Sequence, residues 1–114
     1  MNILEDLTSL LGGLNIPFAT GHYSDTPSDS YVVIIPLADT YELAADNMPQ
    51  ADVQEVQLAL YSKNNYYPLR DRICKALHQT GFTITDRQYI GYETDTGYHH
   101  TAVDVQKHYV LEGN

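Results

Sequence analysis

Two adjacent histidines, His99 and His100, most invite a chemical role in this chain, and the chemistry would be metal ligation. In a strand, neighbouring side chains point to opposite faces, so the pair cannot readily share one ion. His108 falls on the same face as His100 but about 26 Å further along at strand rise. His22 and His78 could approach only through the fold. Ligating histidines come at helical or short-turn spacing, and these do not. The carboxylate pairs Asp25 with Asp29 and Glu93 with Asp95 sit among turn formers, with nothing beside them to fix an acid–base geometry. Arg70, Asp71 and Arg72 lie on the polar side of a helical pattern and read as solvated charges. The chain holds no Gly-x-Ser-x-Gly, no Gly-x-Gly-x-x-Gly and no phosphate loop. The single cysteine, Cys74, excludes an intrachain disulfide and a multi-cysteine zinc site, and reads as a small core or boundary residue. The expectation is a protein that is not an enzyme and uses no cofactor and no metal.

The charge is distributed in a way that bears on partners. The formal net charge is −9, and the nine acids up to Ser62 stand without one Lys or Arg. All six basic residues lie from Lys63 onward. That pattern suits either a solvated acidic surface or complementary faces on neighbouring subunits. It opposes sequence-specific DNA binding, which needs a basic patch for phosphates. No apolar run approaches the ~20 residues that span a bilayer. The first residues carry Glu5 and Asp6 but no Lys or Arg, unlike a signal peptide, so a cytoplasmic, reducing setting is expected. Ten tyrosines and no tryptophan suit both interfaces and strands.

The elements that would position these residues can be read from periodicity. Leu4, Leu7, Leu10, Leu11 and Leu14 predict a helix over about 2–12, capped by Asn2 with Glu5 and stopped at Gly12-Gly13. A short strand is expected around Ala19–Ser24. Tyr31 to Ile35 is β-branched and continuous, which predicts a strand buried on both faces that ends at Pro36 or lies at an edge. Residues 38–52 read as a long polar loop, and Val53–Tyr61 as a strand with Val56, Leu58 and Leu60 on one side. Tyr66, Leu69, Ile73 and Leu77 predict a second helix, with Asn64 or Asn65 as cap, Pro68 in its first turn and Gly81 beyond its end. A strand from Phe82 to about Glu93, a turn at Thr94–Gly97 and a last strand over Tyr98–Leu111 complete the chain. The expected fold is a single α+β domain over 1–114: a mostly antiparallel sheet of four to five strands packed with two amphipathic helices. Its expected core is Leu7, Leu10, Val33, Ile35, Val56, Leu58, Leu60, Leu69, Ile73 and Leu77.

From Tyr41 onward the text resembles a known family. Ala45-Asp46-Asn47 precedes a strand ending Leu60-Tyr61-Ser62-Lys63; a tyrosine-rich helix start, Ala76-Leu77, Gly81-Phe82, Tyr92-Glu93-Thr94 and Gly97-Tyr98-His99-His100 follow. This order is similar to small tail-completion or tail-terminator proteins, which join head to tail in long-tailed bacteriophages and prophages. The resemblance implies a tail-terminator-like α+β fold and a structural role without catalysis. It implies a homo-oligomeric ring, commonly a hexamer, that completes the tail tube and meets the head connector, with DNA only as a passing duplex. Isolated subunits could be monomeric until the tube templates the ring. Residence would be the host cytoplasm during assembly, then the virion neck or tail, with no membrane contact. The acidic segment supplies the candidate interface or channel residues: Asp39, Glu42, Asp46, Asn47 and Asp52. The alternatives are a head-closure or minor capsid component, or a small non-viral binding or accessory module.

Overall fold

The helix over Ile3–Gly13 (α1) starts where Asn2 can cap it: the Asn2 side chain accepts from the Glu5 backbone N–H at 2.8 Å. Its apolar stripe, Ile3, Leu7 and Leu11, is buried. The chain is described here from a computed structural model over residues 2–21, 29–43 and 46–111. After α1 come β1 (Phe18–Thr20), β2 (Ser30–Leu43), β3 (Pro49–Ser62), α2 (Tyr67–Gln79), β4 (Thr83–Tyr92) and β5 (His99–Val110). The fold is α+β, and the strands form one sheet in the order β1-β2-β3-β5-β4. Every pairing is antiparallel except β1 with β2.

Both helices pack on the sheet face that presents Val32, Ile34, Val56, Leu58, Leu60, Val103 and Val105. The cross-strand registers Val32↔Leu60↔Thr101 and Ile34↔Leu58↔Val103 place these side chains side by side. Helix α2 adds Ile73, Cys74 and Leu77, so Cys74 is a small core residue, as its place in the helical pattern suggests. Burying each large aliphatic side chain contributes about 1.5–3 kcal/mol relative to exposure. The N-cap of α2 is Tyr66 rather than the expected Asn64 or Asn65, although Asn65 Oδ1 accepts from the Tyr67 N–H at 3.1 Å, and Pro68 sits in the first turn. Gly81, at φ 87°, lets the chain reverse into β4, and Gly97, at φ 79°, closes the β4–β5 turn.

Several expectations are corrected. Residues 38–52 are not a loop: β2 continues through Pro36 to Leu43, and β3 begins at Pro49, so the two strands form one long hairpin. Proline is tolerated because it stands beyond the β1 pairing, on the sheet edge, next to a bulge between Pro36 and Ala38. On β2 the residues under the helices are Val32 and Ile34; Val33 is buried as expected but on the opposite face, and Ile35 is only half-buried, because a strand's two faces exchange with every residue and both faces here are apolar. Leu10 and Leu69 are only half-buried at the rim of the core. The strand near Ala19 is the short Phe18–Thr20, and residues 22–24 of that expectation lie outside the described residues.

Candidate interaction surface

The long hairpin builds the most distinctive surface of the molecule. Fourteen residues in each of β2 and β3 run roughly 46 Å at ~3.3 Å per residue, and the molecule measures 53 × 26 × 24 Å. Its distal part, from Leu37 to Leu43 and back from Pro49, is an arm that meets α1 at its root. There the Ile3 N–H donates to Gln54 Oε1 at 2.8 Å. Strand β5 pairs with β3 as far as Ala51↔Val110, so most of the arm is three strands wide. Asn47, at φ 65°, turns the tip, and the Asp46 carboxylate accepts from the Met48 N–H at 3.2 Å.

All five candidate residues sit on this arm. Asp39 and Asp52 share the helix-side face, since the register pairs Asp39 with Gln54 and Tyr41 with Asp52. Asp52 accepts from Gln54 Nε2 at 2.7 Å, which ties it to the root. Glu42 faces the other way and meets His108 Nε2 at 3.0 Å; both side chains are about half exposed, so the pair adds little stability. Asp46 and Asn47 form the tip and are exposed. What the sequence reading missed is the apolar content of the arm: Leu37, Tyr41, Leu43 and Met48 are 49–65% exposed. Tyr41 and Leu43 alternate with Thr40 and Glu42, a period-two signal that the surrounding acids obscured.

The arm is fastened to the body by a polar cluster. Tyr109 Oη donates to Asp6 Oδ2 at 2.6 Å, and Lys107 Nζ donates to the same oxygen at 3.0 Å. The Tyr109 bond, then Lys107, hold the Asp6 carboxyl below its ordinary value against the opposing effect of burial. Burial and the Asp6 carboxylate push the Tyr109 hydroxyl upward.

On the sheet face opposite the helices, three strands contribute a stack of rings. Tyr31 lies on Tyr61 at 4.7 Å, Tyr61 on His100 at 4.4 Å, and Tyr98 meets both tyrosines edge-on. Burial lowers the His100 pKa, opposed by Glu93, and raises that of Tyr61. His100 Nε2 has no hydrogen-bond partner among the described residues. His99 points to the helix side, where Tyr89 Oη lies 3.0 Å from its Nδ1 beside Tyr66 and Tyr92. The two histidines are therefore on opposite faces, and His22 and Asp25 lie outside the described residues.

A groove of about 470 Å³ lies between α1 and α2, lined by Leu10, Leu14, Ala76 and Phe82, with Asp6 and Lys107 at its wall. Arg72 donates to the Leu14 carbonyl at 2.8 Å at one end. Among the described residues no group of three His, Cys, Asp or Glu side chains is arranged to hold a metal, and no helix is long and apolar enough to cross a membrane. No protein-family model matches the chain, and comparison with curated proteins gives no significant match.

Proposed function

We propose that the chain is a non-enzymatic structural subunit of a bacteriophage or prophage. In this reading it forms a ring that completes the tail tube and joins it to the head connector. The observation that carries the reading is the arm: an acid-rich, three-stranded projection with exposed Leu37, Tyr41, Leu43 and Met48. An apolar stripe held away from a body with its own core is a surface shaped for a partner. The resemblance that begins at Tyr41 supplies the kind of partner. In the groove, Asp6 and Lys107 pair with each other at 3.0 Å, which fits a structural role.

In such a ring, part of the acidic surface faces the central channel. A negative wall repels phosphates and lets a duplex pass, where a basic wall would hold it by counterion release. Removing the gene from the phage that encodes it tests the reading. Filled heads separated from tails of irregular length are expected. Normal tails with leaking heads would instead favour head closure, and normal infectious particles would overturn any role in the neck.

A further inference from the structure

We propose that the tip of the arm docks into the α1–α2 groove of a second copy, with Met48 seated between Leu10, Leu14 and Ala76. The inference deepens the ring reading and rests on it only for closure of the assembly.

Three observations converge on this occupant. The groove is mostly apolar: its charged groups, Asp6 and Lys107, satisfy each other at 3.0 Å, Thr80 donates to the Ala76 carbonyl, and Ser9 adds a single hydroxyl. Two cations stand near it on α2: Arg72 donates to the Leu14 carbonyl at one end, and the exposed Lys75 precedes Ala76 in sequence. The arm is the opposite in sign and matched in character, since Met48 is 62% exposed beside Asp46 and no Lys or Arg occurs before Lys63. The same chain cannot fill its own groove. The β3–β5 ladder, from Ala51↔Val110 to Ser62↔His99, holds the arm extended away from the helices.

Because the two docking surfaces differ, the contact is head-to-tail. Such contacts close into rings or run on as filaments.

Mixing full-length Met48→Cys protein with full-length Ala76→Cys protein and a short bis-maleimide tests the contact, with Met48→Cys plus Gln88→Cys as control. Parent protein alone reports any reaction of the buried Cys74. Cross-linked pairs should exceed the β4 control by roughly tenfold, as expected for a contact worth about 1.4 kcal/mol over random collision. Asp46→Lys should weaken cross-linking, and Lys75→Glu in the partner copy should restore it. Equal yields at Ala76 and Gln88 would overturn the docking. Sedimentation separates this failure from that of the ring: closed particles with equal yields sink the docking alone. Selective cross-links within open chains at every concentration support the docking and sink a ring that closes without a template, and no association at any concentration sinks the docking, while the ring itself is judged by the deletion phenotype.

Discussion

The hydroxyl of Tyr109, near the end of β5, donates a 2.6 Å hydrogen bond to Asp6 on the first helix, so residues 103 apart in sequence lock the root of the arm to the body. The Asp6 side chain is 24% exposed, and Lys107 shares the same oxygen. Replacing Asp6 with alanine should cost about 1.5–3 kcal/mol, the range for hydrogen bonds to a charged group, and Tyr109→Phe somewhat less. The folded carboxyl titrates below its ordinary value of 3.8, so its contribution is present above that pH and is lost as pH falls through and below it. Denaturant unfolding of the parent and of Asp6→Asn from pH 6 to roughly pH 2.5 should show the parent losing its advantage there. A constant difference across that range would contradict this assignment.

His100 gives a second acid-sensitive element at higher pH. Its folded pKa lies below the ordinary 6.5 because burial disfavours the cation. The unfolded chain therefore binds the proton more readily. Stability is full above about pH 6.5 and declines as pH falls below it. His100→Phe keeps the stacking on Tyr61 and removes a buried nitrogen with no described partner. It should match or exceed the parent in melting temperature at pH 7 and show a flatter profile between pH 7 and about pH 5. A loss above ~1 kcal/mol at neutral pH would reveal a hydrogen bond essential to the imidazole.

Neighbouring isoleucines on β2 separate the two faces of the sheet. Ile34→Ala should cost about 2–5 kcal/mol, since Ile34 is fully buried under the helices, and Ile35→Ala distinctly less. Leu58→Ala and Ile73→Ala belong with Ile34, as both are fully buried. Equilibrium unfolding of the four variants gives the ranking, and equal losses at 34 and 35 would contradict the one-sided packing.

Charge reversal on the arm should separate folding from assembly. Asp39→Lys and Asp46→Lys alter exposed side chains and should change stability by less than about 0.5 kcal/mol. Asp52→Lys is a different case, because Asp52 accepts from Gln54, which itself accepts from the first N–H of α1. It should lower the melting temperature as well. If the Asp39 and Asp46 variants complete particles as well as the parent, the arm's charge has no part in assembly.

The helices and the body of the sheet are legible in the sequence because each shows one clean period. Leu7 and Leu11 mark one stripe of α1, Ile73 and Leu77 one stripe of α2, and Val56, Leu58 and Leu60 alternate on β3. The arm is not legible, because the brief Tyr41 and Leu43 alternation is masked by the acids around it and no covered face extends it along the strand. Asp39, Glu42 and Asp46 then read as a solvated loop, although cross-strand pairing holds Asp39 and Glu42 in a ladder. The face of β2 was equally ambiguous: Val32, Val33 and Ile34 are all buried, and only the partners across the ladder decide which of them meet the helices. The candidate site was thus located by charge, and its shape came from pairing that local sequence does not encode.

The ring stack that crosses β2, β3 and β5 gives the molecule an internal optical gauge. With no tryptophan in the chain, near-ultraviolet absorption and emission belong almost wholly to tyrosine. Tyr31 and Tyr61 lie face to face at 4.7 Å with an interplanar angle of 10°, close enough for their transitions to couple. Sliding either strand by one residue would carry its ring to the other side of the sheet and break the coupling. The near-ultraviolet circular dichroism of the native protein therefore carries a contribution from strand register, beside that of Tyr66 stacked on Tyr67 and Tyr89.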